Sequence, residues 1–371
     1  TLFDRLEVPP ALPAAARPRL IGGFPFTETP RSDAGDTWAG YEAARFVLPA
    51  VQLTVTADGS WLTTTALGNE TAATAQHQLE TWRRRLRALP AFARTGPPGI
   101  ESLSYPPDRE TWREQVGQVV DRIQRGRLQK VVLAQSLTAT LSREATPVDV
   151  LARLGEQYPG CYRFLFEPAG AGAFFGASPE RLVTVRGQAV ETDALAGSTR
   201  RGETAAEDDR LAGALLDSEK DNHEHDLVVE AIRSQLRAMD ADSRTGERTV
   251  RRLATLQHLE TPIRATLSTA EHVLSLVEAL HPTPAVGGLP PAAALETIRE
   301  TETFDRGWYA APVGWFDAAG DGDFAVAIRS GVARGPRATL FAGAGVVEDS
   351  DPAAEWEELE LKYRPILDQL V

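Results

Sequence analysis

Three ionisable residues near the end of the chain have a spacing that suits a shared binding site. Glu355, Glu358 and Lys362 are three and then four residues apart, so in a helix their side chains lie on one face. The preceding Gly343 and Gly345 predict a turn with exposed backbone N–H groups. Two carboxylates beside such donors suit a metal ion bound together with an anionic ligand. The alternative is a helix face exposed to solvent, where the Glu–Lys ion pair contributes little to stability.

A second acidic pair lies in the middle of the chain. Asp221 and Glu224 are three residues apart in a segment of helical periodicity, 211–239. The nearby His223 and His225 diverge by about 200° around a helix, so both cannot bind one ion and zinc fits poorly. Carboxylate oxygens from two helices are instead the ligands that Mg²⁺ prefers. The two acidic pairs therefore predict a magnesium site.

Lysine is rare in this chain, which makes each lysine informative. Lys130, Lys220 and Lys362 are its only lysines among 39 cationic residues. Arginine stays protonated in proteins whereas a buried lysine can release its proton, so each lysine is a candidate base or point charge. Lys130 opens an apolar, strand-like segment, 130–140, where burial disfavours the charged form. A structural lysine at a strand end is the alternative.

Three further positions carry groups that could act in a catalytic or binding site. Glu180 follows a Ser-Pro turn between apolar strands in segment 170–183, a setting that raises a carboxyl pKa and keeps the group protonated as an acid. Residues 196–198 predict a turn of small residues whose backbone could donate to a ligand. Arg329, near the end of a predicted strand, could bind a carboxylate in a bidentate manner.

Composition and charge limit the classes of function. A chain of 371 residues with 42% hydrophobic content can bury a large core. The net charge of −13, without a basic cluster, argues against nucleic acid and membrane partners, so an anionic substrate would need a few local cations. One cysteine, Cys161, allows neither an intrachain disulfide nor a thiolate cage. With no apolar run of membrane-spanning length and no leader at Thr1, the sequence predicts a cytoplasmic protein.

Hydrophobic periodicity predicts the elements that position these residues. Strands are expected at 19–26, 46–55, 61–66, 130–140, 161–166 and 249–259, and a hairpin within 304–331. Helices are expected at 72–89, 108–126, 211–239, 270–280 and 295–302, with Asp108 as an N-cap. The Asp58-Gly59 pair predicts a hairpin turn. Residues 90–103, rich in Pro and Gly, predict a connection between an N-terminal β-rich part, 1–103, and a catalytic region, 104–371, of the same fold.

These segments resemble the chorismate-utilising enzymes, and among them the isochorismate synthases. The resemblance rests on segments that follow the family order between about residues 125 and 365: QKVVLAQS, FFGASPERLV, ETDALAGSTRRG, DSEKDNHEHDLV, LQHLETPIRA, LHPTPAVGG, DRGWYAAPVGW, FAVAIRSG and the AGAG…EWEELELK tail. It implies one large α/β (α+β) domain with two packed, mainly antiparallel β-sheets and helices outside. It also implies Mg²⁺-dependent isomerisation of chorismate to isochorismate, with water adding at ring carbon 2 as the 4-hydroxyl leaves.

The same resemblance implies roles for individual residues. Lys130 corresponds to the base that activates water, and Glu180 to the acid that protonates the leaving hydroxyl. The metal-binding carboxylates are Glu224 and Glu358 as direct ligands of the Mg²⁺ that holds the ring carboxylate, with Asp221 and Glu355 nearby through water. The groups that grip the pyruvyl carboxylate are Tyr309, Arg329, Lys362 and the N–H groups around Gly343 and Gly345. Gly197, Ser198 and His258 are expected to line the pocket.

The nucleophile separates the branches of this family. Anthranilate and aminodeoxychorismate synthases use ammonia, usually from a glutaminase, and carry another residue at the position of Lys130. We therefore expect no glutaminase subunit here, and a monomer is the family-like expectation. Salicylate synthases keep the lysine and both metal carboxylates and then eliminate pyruvate; they are the main alternative, although HPTPAVGG and DRGWYAAPVGW favour the isochorismate branch. The pathway served would be that of a siderophore, of menaquinone or of another aryl metabolite, among which the sequence does not distinguish.

Two positions depart from the family pattern. Gln135 stands where arginine is more usual, and Ala311 replaces an expected glycine. Either change could narrow the pocket or shift the product. A catalytically silent chorismate-binding protein is the alternative from another functional class. The presence of the predicted base, acid and direct metal ligands argues against it.

Overall fold

The computed structural model describes residues 6, 8, 9, 12–28, 36–41, 43–66 and 71–371; Thr1, where no leader is predicted, lies outside them. The strands are β1 (Arg19–Gly23), β2 (Arg45–Val47), β3 (Val51–Thr56), β4 (Gly59–Thr64), β5 (Ile100–Ser104), β6 (Lys130–Leu141), β7 (Tyr162–Phe166), β8 (Ala173–Ser178), β9 (Arg181–Arg186), β10 (Ala189–Arg200), β11 (Ala241–Thr245), β12 (Thr249–Arg252), β13 (Leu256–Leu267), β14 (Gly288–Leu289), β15 (Pro312–Asp317), β16 (Gly322–Val326), β17 (Ser330–Arg334) and β18 (Arg337–Val346). The α-helices are α1 (Ala72–Arg87), α2 (Arg109–Gln124), α3 (Pro147–Gln157), α4 (Ala205–Asp217), α5 (Glu219–Ala238), α6 (Val273–Leu280), α7 (Pro291–Thr301) and α8 (Pro352–Leu367). None of the helices in the described ranges is long and apolar enough to cross a membrane.

Two large sheets form the framework. One has nine strands in the order β11-β13-β10-β9-β16-β15-β1-β2, with β12 also paired to β13. The other has seven strands in the order β14-β6-β18-β17-β8-β7, with β5 also paired to β6. Strands β3 and β4 form the predicted hairpin apart from both sheets. The long pairs β10–β13 and β6–β18 are antiparallel, as are the other pairings of the described strands.

Side chains from both sheets meet in one hydrophobic core. Val185 and Phe324 of the nine-stranded sheet belong to the same buried cluster as Leu133, Phe174 and Leu340 of the seven-stranded sheet. Burial of this apolar surface is the main contribution that holds the sheets together. The predicted class is confirmed: a single α/β (α+β) domain of two packed, mainly antiparallel sheets with helices outside.

Side-chain caps mark the residues at which α2 and α8 begin. The Asp108 carboxylate accepts the Thr111 N–H at 2.9 Å and caps α2, as predicted. Asp351 caps α8 by accepting the N–H groups of Ala353 and Ala354 at 3.0 and 2.9 Å. Each cap satisfies N–H groups that have no partner inside the helix.

Several predicted elements are divided in the structure. Segment 211–239 is not one helix but two, because Ser218 leaves the helical conformation and its hydroxyl accepts the Asp221 N–H at 3.2 Å to begin α5. Segment 249–259 is likewise divided between β12 and β13, and segment 46–55 between β2 and β3. The break at Ser218 places Asp221 in the first turn of α5.

A buried ion pair connects the end of α7 to the seven-stranded sheet. Arg306 donates from Nε to Glu302 Oε2 at 2.9 Å, and both side chains are almost fully buried. Arg306 also donates to the carbonyls of Val286 and Val132 at 2.8 and 2.7 Å, while Glu302 accepts the Ala134 N–H at 2.7 Å. The pair thus fixes the backbone of β6 against the loop that precedes β14.

Glu302→Gln should lower the free energy of unfolding by about 3 kcal/mol, because the substitution leaves the guanidinium buried without its counter-charge. Urea unfolding of both proteins would measure this difference. The matched control is Glu300→Gln, which removes a half-exposed carboxylate paired with Arg122 at 2.7 Å. It should change stability by about 1 kcal/mol or less. Equal losses of unfolding free energy in the two variants would contradict the prediction that the buried ion pair contributes more to stability than the half-exposed one.

Candidate active site

One cavity of about 480 Å³ collects the residues that the sequence singled out. Strands of both sheets and helices α5 and α8 contribute to its wall. All of the predicted site residues line it: Lys130, Glu180, Gly197, Ser198, Asp221, Glu224, His258, Tyr309, Arg329, Gly343, Gly345, Glu355, Glu358 and Lys362. The fold therefore brings together positions from distant parts of the sequence, whereas the individual roles remain predictions.

Two helices direct four carboxylates into this cavity. Asp221 and Glu224 come from α5, and Glu355 and Glu358 from α8. Burial, together with the charges of Glu224 and Glu358, raises the pKa of Asp221, although a hydrogen bond from Ser218 opposes the rise. Burial and the charge of Glu358 raise the pKa of Glu355. This part of the cavity concentrates negative charge that its own surroundings do not fully balance.

Two lysines neutralise part of that charge. Lys130, of which 1% is exposed, places Nζ 2.7 Å from Glu224 Oε1. Lys362 places Nζ 2.7 Å from Glu358 Oε1 and also donates to the Gly343 carbonyl at 2.7 Å. Burial opposes ionisation of Glu358, but Lys362 and hydrogen bonds to its carboxylate hold its pKa at about 2. Glu358 is therefore ionised next to a fixed cation.

The glycines at the end of β18 do not form the predicted turn. Strand β18 continues to Val346 and pairs Gly343 with Ala134 and Gly345 with Val132. A Cβ at Gly345 would lie 3.1 Å from the Glu224 carboxylate, so glycine here leaves space for side chains that line the cavity. The Gly343 carbonyl faces Lys362. The N–H and carbonyl of one strand residue share an edge, so the Gly343 N–H is also directed away from β6.

The small residues at 196–198 are also part of a strand. The β10–β13 register shifts between Ala196 and Ser198, and Gly197 adopts φ +75°, which defines a β-bulge rather than a turn. A Cβ on Gly197 would lie 3.3 Å from Asp221 Cβ. After the bulge, Ser198 is paired directly with His258 across the ladder. The bulge thus aligns two side chains of the cavity wall.

The two histidines of α5 point in different directions, as the helical geometry requires. His225 is buried and hydrogen-bonds the Ala196 carbonyl at 3.2 Å and Thr261 Oγ1 at 2.8 Å. Burial lowers its pKa to about 4. His223 is exposed. The expectation that this pair does not bind one metal ion agrees with the geometry.

Glu180 lies in the segment of chain that connects the two sheets. It lies between β8 of the seven-stranded sheet and β9 of the nine-stranded sheet, and only 4% of it is exposed. Burial raises its pKa to about 7, while the positive charges of Arg329, Lys130 and Lys362 limit the rise. The predicted upward shift is confirmed. Near neutral pH Glu180 can hold a proton and release it.

Arg329 lies in the connection between β16 and β17, with φ +52°, not within the second strand of the hairpin as expected. It is buried, and its Nη2 is 3.3 Å from His258 Nε2. Burial and the charges of Arg329 and Lys362 lower the pKa of His258 to about 3. Tyr309 stacks on Phe341 with ring centroids 5.3 Å apart, and burial raises its phenol pKa. This end of the cavity is cationic and suited to an anion.

The cavity also contains residues that sequence reasoning did not assign to the site. They include Val132, Leu195, Arg200, Ala285, Val286, Arg306 and Ile328, and also Lys220, which the sequence marked only as a candidate cation. The HPTPAVGG segment contained Ala285 and Val286, so a signal for these two was present. The others also lie in quoted segments, but these segments do not by themselves show which of their residues face the cavity.

The two departures from the family pattern do not reach the cavity. Gln135 is buried elsewhere, where its amide donates to the Pro107 carbonyl and accepts the Ser136 N–H at 3.1 Å. Ala311 is fully buried, and its carbonyl accepts the Ala327 N–H at 2.8 Å. Neither residue is part of the cavity wall. Any effect of these two residues on the shape of the pocket or on the product would therefore have to act through their neighbours, and the suggestion that either changes the pocket or the product stays a prediction.

Comparison with known proteins identifies the family. A family model described as chorismate binding enzyme matches residues 5–371. The chain belongs to the chorismate-binding enzymes. This chorismate-binding enzyme is 41% identical to the salicylate biosynthesis isochorismate synthase of Pseudomonas aeruginosa, over 95% of this chain and 74% of that protein. It is 36% identical to the isochorismate synthase MenF of Bacillus subtilis, over 100% of this chain and 78% of that protein.

A solved structure agrees with these relatives. The menaquinone-specific isochorismate synthase MenF from Escherichia coli superposes with a TM-score of 0.83 at 27% identity, covering 97% of this chain and 80% of that one. The resemblance deduced from the sequence segments, including the isochorismate synthase branch, is confirmed.

Proposed function

We propose that this chorismate-binding enzyme is an isochorismate synthase, a Mg²⁺-dependent isomerase that converts chorismate to isochorismate. The observation that carries the proposal is a buried lysine at the start of β6 and a buried carboxyl group of raised pKa between β8 and β9, which line one cavity. A base and an acid so arranged suit the addition of one group and the departure of another on the same ring. The names of the relatives support the same activity.

The chemistry balances with one water entering and one leaving. Water forms a bond to ring carbon 2 and gives a proton to Nζ of Lys130, which acts in this step as the neutral amine. The ring double bond shifts, the bond from carbon 4 to its hydroxyl breaks, and Glu180 gives its proton to the departing oxygen. Arg329, Lys362 and Tyr309 supply positive charge and a hydrogen bond to the pyruvyl carboxylate, which a protein of net charge −13 must provide locally. Because the nucleophile is water, no glutaminase subunit is required.

The carboxylates of the cavity fit Mg²⁺. Within the part of the chain that the structure describes, no three His, Cys, Asp or Glu side chains converge into a ready-made metal site. Glu224 and Glu358 face lysines, while burial and neighbouring negative charge raise the pKa of Asp221 and Glu355. Clustered carboxylates of this kind are stabilised by a cation, and all-oxygen donors suit Mg²⁺. Glu224 and Glu358 would bind it directly, and Asp221 and Glu355 through water.

When bound, Mg²⁺ would supply positive charge to the ring carboxylate and neutralise part of the charge on these glutamates. Lys130 Nζ lies 2.7 Å from Glu224 Oε1, so the residue proposed as the base is in direct contact with a residue proposed to bind Mg²⁺. Metal binding and the base function of Lys130 are linked in this way through one carboxylate.

The decisive experiment is to incubate the purified protein with chorismate and Mg²⁺, without ammonia or a second enzyme, and to resolve the products by chromatography. We expect isochorismate alone. Salicylate with pyruvate would replace the proposal by the salicylate synthase alternative. Bound chorismate without turnover would show the silent binding protein instead.

Glu358→Gln should weaken Mg²⁺ binding by at least about tenfold, since even partners outside the ligand set cost about 10–100-fold when removed. Titration calorimetry with MgCl₂ on the free protein would measure this. The control is Glu360→Gln on the same helix, where the carboxylate is exposed and accepts the Trp356 indole N–H at 2.9 Å outside the cavity wall. Unchanged Mg²⁺ affinity in Glu358→Gln would remove this residue from the ligand set.

A further inference from the structure

Two residues of the cavity wall have backbone conformations that residues with a side chain rarely adopt. Ala310, which follows Tyr309, has φ +58°, and Arg329 has φ +52°. Among the described residues, Asp240 is the only other non-glycine residue with a positive φ. Ala310 and Arg329 both line the cavity and are almost fully buried. Such conformations persist only where surrounding contacts hold them, so these contacts also determine the shape of the cavity wall.

Both of these turns are bonded to one peptide carbonyl. The Ala327 carbonyl accepts the Ala310 N–H at 3.0 Å and the Ser330 hydroxyl at 2.9 Å. The Ala327 N–H in addition donates to the Ala311 carbonyl at 2.8 Å. A carbonyl oxygen has two lone pairs, so the two donors complete its hydrogen bonding. Ala327 thus connects the turn at Ala310 to the turn at Arg329.

The Ser330 hydroxyl closes the turn that contains Arg329. It donates back to Ala327, while the Arg329 carbonyl is held from the other side by the Ala177 N–H at 3.1 Å. A Cβ on Gly176 would lie 2.8 Å from that carbonyl and from Ser330 Cβ, so glycine allows β8 to approach the turn closely. Ser330 is 1% exposed and is not part of the cavity wall. Its hydroxyl can therefore affect a ligand only through the backbone.

The position of the Arg329 guanidinium depends on this backbone. Its Nη2 lies 3.3 Å from His258 Nε2, which is a neutral partner. Burial lowers the pKa of Arg329, so the neighbouring negative groups do not offset its loss of hydration. A buried guanidinium of this kind suits an anionic ligand, and the turn that carries it determines where its donors are presented.

We propose that Ser330 is a positioning residue for substrate binding, whose hydroxyl fixes the turn of Arg329 against the turn at Ala310 and so directs the guanidinium to the carboxylate of the ligand. The assignment of Arg329 to a substrate carboxylate rests on the proposed function. A grip on a carboxylate that takes no part in the reaction acts equally on bound substrate and transition state. Loosening it should therefore raise the KM and leave kcat nearly unchanged.

Ser136 provides a matched control for Ser330. The two serines are the cross-strand partners of Phe341, from β6 and β17 respectively. Ser136 is 4% exposed, and its hydroxyl also donates to a backbone carbonyl, that of Pro106 at 2.8 Å. This carbonyl belongs to neither turn of the cavity wall. Ser330→Ala and Ser136→Ala thus remove the same group from similar surroundings, and only the first should affect the ligand.

Hydrogen exchange in the free protein tests the contact without any ligand. Ser330→Ala leaves the Ala327 carbonyl with the Ala310 N–H as its remaining donor, and the turn opens more easily. We expect the Ala310 amide to exchange about tenfold faster than in the wild type, and at the wild-type rate in Ser136→Ala. An Ala310 amide that exchanges equally fast in Ser330→Ala and in the wild type would overturn the proposal.

Chorismate affinity tests the consequence for the ligand. Calorimetry in EDTA, where the proposed reaction does not proceed, should give a dissociation constant about five- to tenfold higher in Ser330→Ala and within about twofold of the wild type in Ser136→Ala. With Mg²⁺, the KM of Ser330→Ala should rise by a similar factor while kcat stays within about twofold. An unchanged affinity in Ser330→Ala, or equal losses in the two variants, would show that the hydroxyl does not position the site.

A double substitution shows whether the hydroxyl acts through the arginine. Adding Ser330→Ala to Arg329→Ala should change kcat/KM, which stays measurable at high KM, by less than about twofold. Losses that multiply would mean that Ser330 acts by another route and would contradict the proposal. Isochorismate formation with normal chorismate affinity in Ser330→Ala would refute this inference alone. A protein that makes no isochorismate but shows the predicted affinities and exchange rates would refute the proposed reaction and leave this inference standing.

Discussion

Replacing Lys130 by alanine should lower the turnover number for isochorismate by about 10²–10⁴-fold while the protein stays folded, because a positioned general base contributes about that much. Lys130 begins β6, is almost completely buried, and ends in the cavity beside Glu224. Glu224 retains 16% exposure, so the carboxylate left behind can be hydrated from the cavity. Steady-state kinetics and the circular dichroism of both proteins would test the prediction.

Lys130→Arg separates the base from the charge. Arginine keeps a cation opposite Glu224 but does not release its proton, so we expect this variant to be as inactive as the alanine variant. Small primary amines added to Lys130→Ala should restore part of the activity, since they return a base to the vacated space. Lys220→Ala, at an exposed lysine of the same cavity wall, should change the turnover number little. An active Lys130→Arg enzyme would contradict the role of a base.

The parts of the site that could be predicted from sequence are those set by local geometry. The spacing of Glu355, Glu358 and Lys362 defines one helix face wherever the helix packs, and Asp351 caps that helix through its own side chain. The raised pKa of Glu180 also followed from its neighbours, because apolar strands on both sides exclude water. Such features depend on a few adjacent residues.

The glycine segments were misread because their structure depends on distant strands. Local preference assigns Gly343 and Gly345 to a turn, but the antiparallel ladder with β6 continues through both. Gly197 is likewise held in β10 by the register with β13. In each case tertiary pairing overrides local propensity. The ion pair of Lys130 with Glu224, which are 94 residues apart, is beyond local patterns for the same reason.

A departure from a family pattern does not by itself show that a residue contacts the substrate. Gln135 and Ala311 differ from expected residues, and a list of differences alone makes them candidates for a changed pocket. The structure shows that Gln135 hydrogen-bonds the backbone around Pro107 and that Ala311 is packed in the core. Position in the fold, and not rarity, decides whether a departure touches substrate.

Glu180→Gln should lower the turnover number by about 10²–10⁴-fold, because glutamine cannot protonate the leaving hydroxyl. The wild-type kcat/KM should fall as the pH rises above about 7, where Glu180 loses its proton.

Burial of Glu180 should also make Glu180→Gln stabilise the protein at alkaline pH. The pKa of Glu180 is about 7 in the folded protein against 4.5 for an exposed carboxyl, so between these values the folded state binds more protons than the unfolded state.

Stability from this group is therefore complete below pH 4.5 and is lost as the pH rises through about 7. The loss is about 3 kcal/mol, which glutamine does not incur. Urea unfolding at pH 5 and pH 8 should thus show the difference between Glu180→Gln and wild type shifting by about 2.5 kcal/mol in favour of the variant, because part of the loss has already occurred at pH 5. An equal difference at both pH values would contradict the raised pKa. A stabilised variant with full activity would show that Glu180 is buried for packing and is not the acid.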